Sequence, residues 1–189
     1  DEELGGFAPI GDNDWSGLPI RDSITEVVGC PTILESTGRA YALASSEGSS
    51  AIGLHFGDDV DGGVVVGGRL LQGERGSAGA FAHLAVDVEG RPCVCGKSGC
   101  LDSYASVRGI EATTGRGLVS TPSSLITQSG MMVARACASL AAMLDIQRIR
   151  IGGVVVEAFR ETCIESISDE LAERTRLSQL KQLDVDVAQ

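Results

Sequence analysis

The segment 93–100 constrains this chain most, because it holds three of the six cysteines in one short loop. Cys93, Cys95 and Cys100 have Cys-x-Cys-x4-Cys spacing, and nearby glycines and a proline let the loop fold back tightly. Zinc takes four such soft or borderline ligands in a tetrahedron, and His83, ten residues before Cys93, can supply the fourth. The alternative is three buried cysteines beside an ordinary histidine, which does not explain the glycines and proline. The spacing predicts a structural zinc ion, because four protein ligands leave no position for an activated water.

The remaining cysteines and the other histidine lack such spacing. Cys30, Cys137 and Cys163 are predicted to be buried, small apolar side chains, and His55 is predicted to be packed within a strand. Clustered thiols favour a metal over disulfides in a reducing compartment. The sequence shows neither a basic leader followed by an apolar run nor an apolar stretch of about 20 residues. We therefore expect a cytoplasmic protein without membrane contact.

The charge of the chain limits its partners. Its 189 residues carry a formal net charge of −11, which repels phosphate backbones, so these residues alone are predicted to bind nucleic acid poorly. A hydrophobic content of 43% is sufficient for one globular domain or two compact lobes. The first seven residues, DEELGGF, resemble the interior of a domain, so we expect a piece of a longer protein.

Helical and strand patterns alternate along the chain. A capping-box spacing at Ser23 and Glu26 predicts a helix start, and Gly67-Gly68 predicts a tight hairpin turn. Residues 57–63 are predicted to be a turn, and residues 119–130 a loop or helix entry. Helices are predicted at 22–28, 38–47, 100–105, 131–144 and 157–174, and strands at 31–34, 51–56, 64–66, 69–71, 84–88, 149–151 and 183–189. This alternation indicates an α/β fold with a mixed sheet.

The run HLAVDVEGRPCVCGKSGCLDSYAS at 83–106 resembles the zinc segment of the ROK family, which contains sugar kinases and sugar-responsive transcriptional repressors. Weaker similarity extends over about residues 15–160. The resemblance implies His83 as the fourth zinc ligand. It also implies an actin-like ATPase (ribonuclease H-like) fold of two α/β lobes, incomplete at the N-terminus. Residues 1–50 would complete the first lobe, and 51–189 would form the second lobe, with the zinc loop at 83–100.

The catalytic motif of the family is altered in this chain. Family kinases carry Glu-Asn-Asp-x-Asn-Ala, in which the Asp takes the proton from the sugar hydroxyl. Here the stretch is Glu35-Ser36-Thr37-Gly38-Arg39-Ala40, so Thr37 occupies the position of the base and Ser36 that of a sugar-contacting Asn. A threonine hydroxyl is not basic enough for general-base catalysis near neutral pH. The resemblance therefore implies no catalytic residue at this position.

The phosphate-contacting turn of the family, Gly-Thr-Gly-x-Gly-Gly-Gly, is altered as well. It keeps only Gly57, Gly62 and Gly63 and gains Asp58, Asp59 and Asp61, whose charges repel a triphosphate. A magnesium-binding Asp cluster and a solvated acidic turn are the two interpretations, and we favour the second. Three other family positions also differ: a sugar-binding Glu is Ala80, a second Glu is Asp102, and the last glycine of a triplet is Val154.

These departures favour a protein that binds without catalysing. The first hypothesis is a non-catalytic effector-binding and dimerisation domain of a ROK-type repressor, and the alternative is an ATP-dependent sugar kinase of the same family. A vestigial fold with only a protein-interaction role is the third. Under the first hypothesis we expect structural zinc but neither ATP nor magnesium. A sugar or sugar phosphate would be the effector, and DNA would be bound only through an N-terminal domain outside this chain. The candidate effector contacts are Glu35, Ser36, His83 and Asp102.

Overall fold

The computed structural model describes residues 18–74, 76–174 and 181–187. These residues divide into two compact units: the described residues within 18–36 and 72–77, and those within 37–71 and 78–187. The predicted lobe boundary after residue 50 stays a prediction. The first seven residues, on which the expectation of a longer protein depends, lie outside the described part of the chain.

The described part of the first unit contains one helix, α1, over Ile20–Val28. It begins after Pro19, and its interior includes Ser23, so the predicted capping box is wrong. The helix ends at Gly29, whose φ of 72° places it in the left-handed region and whose N–H bonds the Thr25 carbonyl. The strand predicted at 31–34 is also wrong, because this segment has no ladder partner among the described residues.

The described part of the second unit contains a mixed sheet with the strand order β3-β2-β1-β4-β5. β1 is antiparallel to β2 and parallel to β4; β2 and β3 are antiparallel, and β4 and β5 are parallel. The strands are β1 Ala51–Phe56, β2 Val60–Val66, β3 Arg69–Leu70, β4 Arg148–Gly152 and β5 Asp184–Val187. The predicted α/β fold with a mixed sheet is confirmed.

Six helices accompany this sheet in the described part of the second unit. They are α2 Thr37–Ser45, α3 Asp102–Ala105, α4 Val107–Thr114, α5 Ser123–Leu144, α6 Val154–Ala158 and α7 Arg160–Arg174, with short 3-10 turns at Phe81–His83 and Leu118–Ser120. α2 packs against β1 and β2, whereas α5 packs against α7 and contacts β4. The core includes Ile52, Leu54 and Phe56 of β1 and Ile149 and Ile151 of β4.

Four predicted element types or bounds are wrong in the second unit. The helix predicted over 157–174 is two helices, α6 and α7, separated at Phe159. Residues 84–88 are not a strand: Ala85 forms an isolated bridge to Cys100, and the N–H groups of Val86 and Asp87 both bond the Gly99 carbonyl. α5 begins at Ser123, inside the segment predicted as a loop or helix entry, and buries Ile126 in its first turns. The turn predicted at 57–63 is shorter, because β2 begins at Val60.

Candidate metal centre and the glycine-rich turn

The structure brings the four predicted metal ligands together. The Cys93 sulfur lies 3.5 Å from His83 Nδ1, and the Cys95 and Cys100 sulfurs lie 3.6 Å apart. All four ligand atoms are within 4.8 Å of one another. A tetrahedral ion with Zn–S bonds of about 2.3 Å requires S···S separations of about 3.8 Å. The donor set and its spacing therefore fit one tetrahedral metal ion.

Local backbone geometry places the three cysteines. The N–H of Cys93 bonds the Lys97 carbonyl at 2.7 Å, and the N–H of Gly96 bonds the Cys93 carbonyl at 3.0 Å. Gly99 has a φ of 75°, and a Cβ on it would overlap the carbonyl oxygen of Asp87. A glycine is therefore required one residue before Cys100.

Side chains outside the cysteine motif also support this loop. Tyr104 is buried; its hydroxyl accepts the N–H of Arg91 at 3.0 Å and donates to Asp87 at 2.9 Å. The Arg91 guanidinium lies 4.4 Å from the centre of the Tyr104 ring and donates to Gln128 at 2.6 Å. The sequence patterns did not predict this network. The signal for it in the sequence is Tyr104, an aromatic residue four positions after Cys100.

The thiols of the cluster differ in acidity. Burial alone would raise the pKa of Cys93, but hydrogen bonds from the Cys95 backbone and from neighbouring thiols outweigh it and lower the pKa to about 7. Burial, together with hydrogen bonds to the Cys93 and Cys95 sulfurs, raises the pKa of Cys100 to about 12. A metal ion at this cluster would displace a proton from Cys100, because only the thiolate binds metal.

The predicted phosphate-loop glycines lie in different elements. Gly57 belongs to the turn, but Gly62 and Gly63 lie within β2, opposite Leu54 and Gly53 of β1. The interpretation of 57–63 as one acidic turn is therefore wrong for its last four positions, 60–63, which belong to β2. The antiparallel ladder begins at Val60, and sequence periodicity did not indicate this start.

The glycines of β2 allow close packing. A Cβ on Gly62 would lie 2.7 Å from Phe81 Cδ2, and one on Gly63 would lie 2.9 Å from Ala42 Cβ. On the facing helix, a Cβ on Gly38 would overlap the backbone of Asp61 and Gly62. α2 thus approaches β2 so closely that Gly38 and Gly63 exclude side chains, whereas at Gly62 the side chain is excluded by Phe81 and the Gly53 carbonyl. None of these three constraints requires a phosphate.

Asp61 is part of this packing as well. One of its carboxylate oxygens accepts the N–H of Gly38 at 2.8 Å, and the other accepts the N–H of Gly62 at 2.7 Å. Asp58 and Asp59 are exposed. Within the described residues, the three aspartates form no group close enough to share a metal ion, whereas the His83 cluster does. The carboxylate of Asp61 therefore supports the start of α2, where negative charge is favourable.

The other predicted site residues belong to different elements of the chain. Thr37 is exposed and is the first residue of α2, whereas Asp102 is buried at the start of α3. In the first unit, the Glu35 carboxylate accepts the N–H of Ser36 at 2.9 Å. Ala80 directly precedes the 3-10 turn that carries His83. The structure therefore brings the metal ligands together, and the effector-contact set stays a prediction.

The lone cysteines and His55 follow their predictions in part. Cys137 and Cys163 are buried, but Cys30 is exposed, so its predicted burial is wrong. Cys30 follows α1, which has no buried residue of its own among those the structure describes. The ring of His55 packs edge-on against Tyr41 with centroids 5.9 Å apart. No helix in the described ranges is both long and apolar enough to span a bilayer.

The mixed sheet, its covering helices and the Cys/His loop are those of an actin-like ATPase-type α/β protein. The ROK family model matches residues 7–189, so the chain belongs to the ROK family. This confirms both the family and the fold class predicted from the zinc segment. The family match does not depend on the zinc segment alone, because it extends over residues 7–189.

Individual relatives include both kinases and a regulator. An N-acetylmannosamine kinase of Citrobacter koseri is 30% identical over 174 residues, covering 80% of this chain and 60% of the relative. A ROK hexokinase from Thermus thermophilus superposes with a TM-score of 0.76 at 28% identity, covering all of this chain and 70% of that structure. A ROK family transcriptional regulator, a homologue of the E. coli MLC protein, superposes with a TM-score of 0.80 at 22% identity. The superposition covers 100% of this chain and 55% of the regulator. The chain thus spans about 60% of the length of the curated kinase that it matches.

Proposed function

We propose that this chain is the non-catalytic, effector-binding and dimerisation module of a ROK-family transcriptional repressor. The observation that carries the proposal is Thr37 at the first position of α2, where family kinases have the aspartate base. A hydroxyl there does not accept a proton near neutral pH. Asp61, the carboxylate that bonds the second residue of the same helix, accepts two backbone N–H groups. It therefore acts as a structural acceptor at the start of α2.

The proposal includes one structural zinc ion held by His83, Cys93, Cys95 and Cys100. Its support is the donor set and the 3.5–3.6 Å separations between ligand atoms. Three thiolates and one imidazole complete a tetrahedron, so the ion would stabilise the loop without activating water. The Arg91–Tyr104 contacts hold the same loop through the protein's own side chains.

The effector would be a sugar or a sugar phosphate, with Glu35, Ser36, His83 and Asp102 as proposed contacts. The assembly would be a homodimer in the cytoplasm. A net charge of −11 supports DNA binding through a separate domain of the whole protein, because this chain repels the phosphate backbone. ATP and magnesium have no role in this proposal.

A ROK-family sugar kinase is the second candidate. It is favoured by the 30% identity to an N-acetylmannosamine kinase and by the hexokinase superposition. It would require another group to act as the base, because Thr37 does not. Glu35, Asp58 and Asp59 are out of register with the family base.

Turnover of ATP separates the two candidates. We expect the intact protein to consume no ATP above background with glucose, N-acetylmannosamine or other hexoses, as measured by a coupled ADP assay. The Thr37→Asp variant restores the family residue, and Thr37→Asn is its uncharged control. Sugar-dependent turnover by the unmodified protein contradicts the repressor proposal, and its survival in Glu35→Gln and Asp58→Asn would exclude those carboxylates as the base.

Ligand and DNA binding test the positive part of the proposal. We expect at least one sugar or sugar phosphate to raise the melting temperature and to change the affinity of the intact protein for its operator DNA. A protein that binds neither class of ligand would instead fit the third hypothesis, a zinc-stabilised fold with only a protein-interaction role.

A further inference from the structure

The carboxylate of Asp102, one of the proposed effector contacts, already has a protein group at each of its two oxygens. Its side chain is only 4% exposed. One oxygen accepts the N–H of Val60 at 3.0 Å, and the other lies 3.5 Å from the guanidinium of Arg108. Val60 is the first residue of β2 and directly follows the Gly57–Asp59 turn. Asp102 therefore holds the residue at which this turn ends.

The same stretch of chain also holds the beginning of the turn. The N–H of Val107 bonds the Gly57 carbonyl at 2.9 Å, and the N–H of Arg108 bonds the Asp58 carbonyl at 3.4 Å. Residues 102–108 thus contact both ends of the Gly57–Asp59 turn through three hydrogen bonds. A rigid shift of this stretch would therefore carry the turn with it.

This stretch begins directly after the last residue of the metal cluster. Cys100, Leu101 and Asp102 are consecutive and almost fully buried, so little freedom separates the Cys100 sulfur from the Asp102 carboxylate. The N–H of Leu101 bonds the Leu84 carbonyl at 2.9 Å, which fixes the stretch to the residue after His83. Two metal ligands therefore adjoin the backbone that positions Asp102.

We propose that Asp102 is a positioning residue that fixes the Gly57–Asp59 turn to the segment after the metal loop, so that an ion bound at the loop orders the turn. The ordering effect of the ion rests on the proposed metal site, whereas the positioning role of Asp102 does not. A metal ion bound at the loop would then order the Gly57–Asp59 turn, although this turn supplies none of the metal ligands.

Residue-resolved amide hydrogen exchange on the intact protein tests the role of Asp102. In Asp102→Ala the Val60 N–H loses a charged acceptor, so we expect its exchange to be about tenfold faster or more. Asp102→Asn keeps an acceptor oxygen and is expected to retain most of the protection. The amides of β4 serve as the reference, because general destabilisation accelerates them as well. Unchanged exchange at Val60, or equal acceleration at Val60 and in β4, overturns the positioning role.

Metal removal tests the link between the loop and the turn. With metal content measured in each sample, we expect chelation to accelerate exchange at Val60 and Val107 in the unmodified protein. In Asp102→Ala, chelation is expected to cause little further change at Val60. Loss of the ion without any change at Val60 overturns the link. A protein that never binds metal overturns the link together with the proposed metal site, whereas the Asp102→Ala result still decides the positioning role.

Discussion

The metal loop at 83–100 and the junction of α2 with β2 lie in the same unit, but they retain the resemblance to ROK kinases in different ways. The loop keeps the residue types whose chemistry defines it, namely one histidine and three cysteines within 4.8 Å of one another. At the junction, Thr37 and Asp61 differ from the residues that the family resemblance implies, yet Gly38 and Gly63 pack where the two elements meet. The loop is thus retained as a set of ligands and the junction as a packing arrangement.

The loop and the junction show two different reasons why a position requires a particular residue type: ligand chemistry and packing space. In the loop, each ligand atom must reach one point in space, so replacement of a sulfur or nitrogen removes the property itself. In the junction, the requirement is the absence of a side chain at Gly38 and Gly63, and the backbone N–H groups of Gly38 and Gly62 are bonded by Asp61. These packing requirements hold whether or not the junction takes part in catalysis.

The largest effect is expected from breaking the metal loop. Cys95→Ser removes one of four ligands, so we expect loss of the bound ion and a decrease of about 3 to 5 kcal/mol in the free energy of unfolding. Thermal denaturation and metal analysis measure the two effects, with about one zinc per chain expected before mutation. Cys30→Ser is the matched control, because Cys30 is also exposed but lies outside the cluster. If Cys95→Ser and Cys30→Ser lose the same stability and the same amount of metal, a bound ion does not account for the stability of the loop.

A smaller effect is expected from adding one methyl group at the junction. Alanine is the better helix former, but a Cβ at Gly38 overlaps the backbone of Asp61 and Gly62, so Gly38→Ala is expected to cost about 2 to 4 kcal/mol. Gly117→Ala is the control: Gly117 is exposed with a φ of −61°, and the nearest atom to its added Cβ lies 3.8 Å away. Chemical denaturation compares the variants. A neutral Gly38→Ala would show that the glycine is not required by packing.

The smallest effect is expected from Asp61→Ala, which deprives the Gly38 N–H of its acceptor and removes a negative charge from the start of α2. We expect a loss of about 1 kcal/mol, measured by urea denaturation. Asp59→Ala removes the same charge from an exposed position and is expected to change stability little. If both variants behave alike, Asp61 contributes through net charge rather than through its two hydrogen bonds.

Local patterns predicted much of this molecule, and tertiary contacts account for what they missed. The ligands of the metal loop and the Gly67-Gly68 hairpin were predictable because their geometry arises within a few residues. The strand start at Val60 was not, because it depends on pairing with Phe56 and on the approach of α2. Likewise, Ser123 begins a helix because the face that includes Ile126 is buried, although the surrounding composition is typical of a loop. The roles of Arg91 and Tyr104 depend on contacts between segments that no spacing rule encodes.

The close approach of α2 to β2 also has a consequence for how such chains are classified. A methyl group at Gly38 or Gly63 would cost stability whether or not a chain uses nucleotides, because the added atom would meet the chain's own packed atoms. A motif score that counts these glycines as evidence of phosphate transfer would therefore mistake steric constraint for chemistry. The positions that can separate catalytic from non-catalytic proteins are those without such a packing constraint, such as the exposed Thr37.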